Sequence, residues 1–318
     1  MLVDSVRPRA RVIIDNDFTG DPDDLFQLAH HLLCPSVDVR GIVASHLRPG
    51  DPFGPSGNTA ADGARRVGEL LRVMGIEGRV PVREGAASAL FDSGSPLDSE
   101  GARAIASEAM RDDTDLPLFV CCGGGLTDLA SALMMEARVA ERITAVWIGG
   151  PEYPGAAPPP PGSNGPEYNL AIDVEAARYV FNDSGVPLWQ VPRDAYRQVL
   201  VSLAELEERV APRGELGRFL MDSLKAAREL FAALGVDLGE TYVLGDSPLV
   251  LLTALRSPFE PDASSSEYVL RERPSIGADG SYGPPSGRGP IRVYSRVDSR
   301  LVLEDLFAKL RLFERTRA

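Results

Sequence analysis

Lysine, histidine and cysteine are all scarce in this chain of 318 residues, which has two lysines, three histidines and three cysteines. Cys34, Cys121 and Cys122 are an odd set with an adjacent pair, a poor basis for a disulfide framework. A reducing cytoplasm is the expected setting. Basic blocks are also missing, and the formal net charge is -13. Wrapping nucleic acid or lying on an anionic membrane needs clustered Lys and Arg, so both partners are excluded from the reading. A nucleoside carries no phosphate and stays open. No apolar run approaches the roughly 20 residues of a membrane helix. The opening MLVDSVRPRARVIID has none of the apolar stretch of a signal peptide. The expectation is a soluble cytoplasmic protein.

What the chain does have is a strand–helix alternation. Short apolar runs predict strands at Arg11 to Asp15, Val37 to Ser45, Val80 to Arg83, Leu116 to Cys121, Ile143 to Ile148 and Val186 to Val191. Between them, Leu25, Phe26, Leu28, Ala29, Leu32 and Leu33 recur at helical spacing, as do Ala61, Ala64, Val67, Leu70, Leu71 and Met74. Further helices are predicted near Ser99 to Arg111, Leu126 to Arg138 and Val174 to Asn182. The pattern implies an α/β fold, a mostly parallel sheet of Rossmann-like kind covered by helices on both faces. The C-terminal part reads as more helical, at Leu203 to Val210, Leu216 to Leu234, Ser247 to Arg256 and Arg300 to Phe313. Asp279-Gly280 fits a hairpin turn. Residues 50–58 and the proline-rich 151–166 read as loops. No linker splits the chain, so one domain over residues 1–318 is expected.

The sharpest local feature is IIDNDFTGDPDD, residues 13 to 24. Asp15, Asp17, Asp21, Asp23 and Asp24 follow a hydrophobic strand and precede an amphipathic helix. Ligands of open α/β sheets bind at such carboxyl ends of strands. Helix capping and the helix dipole account for one or two of these aspartates, not five. Carboxylates at this density are costly unless a cation or protons compensate, and hard oxygen ligands suit Ca²⁺ or Mg²⁺ rather than zinc. The spacing is not that of an EF-hand loop.

This segment resembles the N-terminal signature of the inosine–uridine nucleoside hydrolase family, Asp-x-Asp-Pro-Gly-x-Asp-Asp after a first strand. Asp15-Asn16-Asp17 matches its opening half and Asp23-Asp24 its closing pair, with two extra residues between. Gly124-Gly125-Leu126-Thr127-Asp128 is similar to the family's Gly-x-Leu-Thr-Asn. Glu167-Tyr168-Asn169 resembles its Glu-Phe-Asn, and Asp246 falls where the family has a late metal-binding Asp. The resemblance implies a nucleoside hydrolase-like fold and a calcium-dependent hydrolysis of the N-glycosidic bond of ribonucleosides. It implies Asp17, Asp24, Asp246 and the carbonyl of Thr127 as calcium ligands, with Asp17 also activating the attacking water. Asp23 and Asn169 would hold the ribose 2′- and 3′-hydroxyls, and Glu167 the 5′-hydroxyl, with Asn164 a weaker contact there. A homodimer or homotetramer is implied as well. Independently, breaking a ribosyl C–N bond passes through an oxocarbenium-like state that nearby carboxylates stabilise.

One departure stands out. Many family members carry a His just before the late Asp as leaving-group acid, and here that position is Gly245. His46, after the second strand, is the residue placed to approach the substrate instead. Tyr242, Glu240 and Tyr153 are further possible contacts with a base. Two other functions stay open. A Mg²⁺-dependent phosphatase of the haloacid dehalogenase type also begins Asp-x-Asp, with Asp15 as nucleophile. It needs a later lysine, and only Lys225 and Lys309 exist. A non-catalytic nucleoside- or sugar-binding protein on the same fold is the other. Gly123 to Gly125 lack the following Lys-Ser/Thr of a phosphate-binding loop.

Overall fold

A computed structural model describes residues 5–163, 165–257 and 265–317. The predicted alternation is present. Strand β1 (Ala10–Asn16) leads through α1 (Asp23–Leu32) to β2 (Val37–Ala44), and α2 (Thr59–Val73) leads to β3 (Val82–Glu84). After α3 (Glu100–Ala109) come β4 (Leu118–Cys122), α4 (Thr127–Met135) and β5 (Ile143–Ile148). Two short helices, α5 (Tyr168–Ile172) and α6 (Val174–Arg178), precede β6 (Leu188–Val191). The turn after α6, Tyr179–Asp183, is a π-helix, so the expected helix to Asn182 changes its winding there.

β1 through β6 pair in parallel in the order β3-β2-β1-β4-β5-β6. The strand order therefore reverses between β1 and β4, the crevice where open α/β sheets hold ligands. β1 is buried along its whole length, as a strand covered on both faces must be. Val12 and Ile14 pack into one apolar cluster with α1, while Ile13 faces the other with residues of α3 and α4. Helix starts are set by side chains: Ser99 accepts from the amide of Ala102, and Asp173 from that of Ala176.

The C-terminal part holds α7 (Arg193–Tyr196), α8 (Leu203–Arg209), α9 (Gly214–Ala233), α10 (Ser247–Thr253) and α11 (Ser299–Arg317). It is less helical than the sequence suggests. β7 (Leu200–Ser202) and β8 (Thr241–Val243) form a small antiparallel pair. β9 (Glu267–Ile276) and β10 (Tyr282–Arg296) form a long hairpin that extends the main sheet to eight strands, β10 lying parallel to β6. The Asp279-Gly280 turn joins them, with Gly280 at φ 77°. β7, β8 and the hairpin lack a clean period-two pattern, which hides them from the sequence. No helix among the described residues is long and apolar enough to cross a membrane. All three cysteines are free and buried.

Candidate functional site

The strand ends at the β1/β4 reversal open into a cavity of about 440 Å³. Asp17 comes from the end of β1, Asp23 and Asp24 from the first turn of α1, and Gly123 from the end of β4. Glu167 and Asn169 come from the start of α5, and Gly245 and Asp246 from the turn between β8 and α10. Four sequence-distant segments thus meet at one point.

Asp23, Asp24 and Asp246 each bring a carboxylate oxygen within 4.8 Å of the others, and all three are buried. Asp246 is held from two sides. Asn16 Nδ2 donates to its Oδ2 at 2.6 Å, and its own amide donates to Asp23 Oδ2 at 3.0 Å. Burial, and then the Asp246 charge, push the Asp17 carboxyl well above the usual carboxylate range. Asp24 is raised by burial and by the charges of Asp17, Asp246 and Asp23. Asp246 itself is pushed up to about 7, chiefly by burial. Among the described residues, no Lys or Arg makes a salt bridge with any of these four, and Asp24 Oδ2 is buried without a hydrogen-bond partner. A Cβ at Gly123 would collide with Asn16 Nδ2 and Asp246 Oδ2, and one at Gly124 would sit 2.7 Å from Asp17 Oδ1. Both glycines keep the carboxylates packed against bare backbone. Crowded hard oxygens with an orphaned acceptor and no compensating cation fit a divalent metal ion.

The other wall is polar but already organised. Glu167 Oε2 accepts from the amides of Gly150 at 2.8 Å and Leu170 at 3.1 Å, and Oε1 accepts the Tyr196 hydroxyl at 2.9 Å. Asn169 Nδ2 donates to the carbonyls of Gly123 at 2.5 Å and Ile148 at 2.8 Å. With both amide hydrogens committed, its Oδ1 is what remains for a hydroxyl.

Residues 12–271 match the family described as inosine-uridine preferring nucleoside hydrolase. The chain belongs to the inosine-uridine preferring nucleoside hydrolase family. Its sequence is 41% identical over 69 residues to such a hydrolase of Crithidia fasciculata and 42% identical over 62 residues to one of Leishmania major. These stretches are 21% and 19% of this chain, and they span only 19% and 18% of those relatives. The fold is similar to that of a plant nucleoside hydrolase, with TM-score 0.72 and 18% identity over 95% of this chain and 99% of the other. A purine-preferring ribonucleoside hydrolase from Gardnerella vaginalis superposes with TM-score 0.72 and 17% identity, over 96% of this chain and 99% of the other.

Within this nucleoside hydrolase fold, several residues named from the sequence lie elsewhere. His46 is buried behind the cavity, with Nδ1 3.0 Å from the Leu47 carbonyl and Nε2 3.0 Å from Thr127 Oγ1. It does not line the cavity. Thr127 opens α4 and is buried, its hydroxyl donating to Asp173 Oδ2 at 2.6 Å. Asn164 lies outside the described residues. Tyr153 donates to Gln190 at 2.7 Å and stacks on Tyr282, away from the cavity, and Glu240 does not line it either. Tyr242 donates its hydroxyl to Asp21, which does line it. Asp15 is not part of the cavity, and both its carboxylate oxygens are buried without a hydrogen-bond partner. Lys309, on α11, is bound to Asp305 of the same helix and to Cys34, and Lys225 does not line the cavity either. A phosphatase built on Asp15 and a lysine therefore has no shared site here.

The cavity also uses residues that the sequence did not single out. Phe53 and Phe231 meet edge to face with centroids 5.6 Å apart. Tyr168 donates to Asp51 at 2.9 Å, and Arg48 lies over its ring at 5.1 Å. Tyr196 and Arg197 complete that side. An aromatic or Arg in a loop of variable length carries no local signal of what it faces.

Proposed function

We propose that this chain hydrolyses the N-glycosidic bond of ribonucleosides, releasing ribose and the free base, with one Ca²⁺ in the acidic cluster. The reading rests on one observation above others. Asp17, Asp23, Asp24 and Asp246 converge in one cavity without a basic partner among the described residues, beside a Glu167–Asn169 wall already oriented for hydroxyls.

Asp17, Asp24 and Asp246 would hold the ion; Thr127 does not line the cavity. When bound, calcium supplies the positive charge that keeps these carboxylates ionised and brings a water and the ribose diol into one frame. Asp17, at the end of β1, takes the proton of the attacking water. Asp23 Oδ2 is fixed by the Asp246 amide and presents its carboxylate to the ribose diol, as does Asn169 through Oδ1. Glu167, its carboxylate pinned by two amides and Tyr196, accepts the 5′-hydroxyl. Fixed carboxylates around the ring favour the positive charge that develops as the C–N bond breaks. The glycine at position 245 would also suit a non-catalytic binder on this fold, and ribose release separates the two readings.

The test is ribose release from a panel of nucleosides, with calcium and after chelation. Turnover should require calcium. The Asp24→Asn protein should lose most of its bound calcium by elemental analysis. Wild-type calcium content in that variant would sink the ligand assignment, and no ribose from any riboside would sink the hydrolase reading.

A further inference from the structure

The leaving group is the open half of this reaction, and the cavity carries three observations about it. The first is the want of a proton donor among the described residues. Gly245 has no side chain. His46 is turned away, and His30 and His31 are buried against Asp305 and Thr253. Tyr168 and Tyr196 spend their protons on Asp51 and Glu167. Arg48 and Arg197 do not give theirs up. Asp21 accepts the Tyr242 hydroxyl, a bond that favours its ionised form over a proton-donating one. A neutral purine or pyrimidine, which departs as an anion unless protonated, leaves unaided.

The second observation is charge. Asp17, Asp21, Asp23, Asp24, Asp51, Glu167 and Asp246 line the cavity against Arg48 and Arg197. A divalent ion would not cancel that excess. Arg48 is already neutralised by Asp51 at 3.2 Å, and Arg197 is exposed at the rim, where solvent screens it. The third is shape. Phe53 and Phe231 line the cavity along with Val243 and Gly245, so a flat ring finds aromatic partners in it. A Cβ at Gly245 would lie 3.3 Å from both Asp23 Oδ2 and Tyr196 Cδ2, so the bare glycine keeps that space free beside the sugar subsite.

We propose that the substrates this site serves best are ribosides with a cationic aromatic leaving group, of the N-ribosylpyridinium class. The proposal rests on the hydrolase reading and adds the leaving group to it. The step balances without an acid. Water oxygen bonds to C1′ and its proton passes to Asp17. The C1′–N bond breaks, and its electron pair stays on the ring nitrogen and cancels the positive charge. The products are ribose, a neutral pyridine and one proton. Asp21 and the aromatic faces hold the cation before it leaves.

The experiment compares kcat/KM of the calcium-loaded full chain on N-ribosylpyridinium, inosine, uridine and p-nitrophenyl riboside. The nitrophenyl compound needs no proton either, but it is neutral, so it reports the sugar-side machinery alone. N-ribosylpyridinium should exceed inosine by about 10²-fold or more, the usual span of general acid catalysis. Asp21→Asn should lower the ratio of pyridinium to nitrophenyl turnover about tenfold. Raising ionic strength with the unmodified protein should lower the same ratio, which needs no variant to fold. Inosine cleaved as fast as the pyridinium riboside, or a ratio unmoved by both Asp21→Asn and salt, overturns the proposal and leaves the hydrolase reading standing. If none of the four ribosides is cleaved, the hydrolase reading itself fails and this proposal falls with it.

Discussion

Gly123 and Gly124 matter for what they lack. The site needs carboxylates pressed against the end of β4, and any side chain there would displace them. A Cβ at Gly123 would overlap both Asn16 and Asp246, two groups that hold each other at 2.6 Å. Neither is the free end of a long side chain, so the strain has no cheap exit. Gly123→Ala should therefore destabilise the protein by about 1–3 kcal/mol, the usual cost of overpacking. It should also weaken calcium binding at least tenfold, because Asp246 must move. Denaturant unfolding and a calcium titration check the two effects separately. An unchanged transition together with unchanged affinity would mean that Asp246 is not fixed by Asn16.

At the level of elements, the site is an assembly of ends: the ends of β1 and β4, and the starts of α1, α5 and α10. Most of this was legible, because each end carries its own sequence mark. An apolar run stops at Asp17, an amphipathic period starts at Asp23, and Ser247-Pro248 opens α10. What sequence order misled was the grouping. Asp15 counts as a member of the acidic run, but it lies inside β1, where the strand's alternation fixes its face, whereas Asp17 lies past the strand's end. Asp15 shares the face of Ile13, where Asp128 adds to its burial in raising its pKa, and it stays out of the cavity. His46 misled in the same way, since strand ends show where a residue starts but not where its ring is tied. The β7–β8 pair was not legible at all, and it is what brings Gly245 to the cavity and the Tyr242 hydroxyl to Asp21. That pair also makes an engineering prediction. Gly245→His alone should restore little inosine cleavage, because Tyr196 Cδ2 and Asp23 Oδ2 would crowd its Cβ. Gly245→His with Tyr196→Ala should raise the inosine rate about tenfold or more. It should also add a limb that falls as pH rises through an imidazole pKa of about 6–7. A double variant no faster than the single one would show that space is not what bars an acid from this wall.

The molecule as a whole concentrates much of its negative charge in one place, and its stability should follow. In the metal-free protein Asp21 is pushed up to about 6 and Asp246 to about 7, burial being the main cause for each, and burial also raises Asp17, Asp23 and Asp24 well above the usual carboxylate range. The sign follows from linkage. A carboxyl whose pKa is higher in the folded state binds its proton more tightly there. Its contribution is fully present below an ordinary aspartate pKa of about 4 and is lost as pH rises through about 6 to 7. His31 works in the opposite direction. Burial lowers it to about 3, so the folded state loses stability as pH falls below about 6.5. The raw melting curve mixes the two, but the difference between calcium-loaded and chelated protein does not, since His31 is the same in both. Calcium needs the carboxylates ionised, so binding expels their protons. The gap in melting temperature should therefore widen steadily from about pH 5 to about pH 8. With free calcium about 100-fold above Kd at the upper end, the stabilisation is about 2.7 kcal/mol. Calorimetry at about pH 6 in two buffers of different ionisation enthalpy should register at least one proton released per calcium bound. Asp24→Asn should close the gap at every pH. A gap that is constant with pH, or calcium binding without proton release, would mean that the buried carboxylates are not where the ion sits.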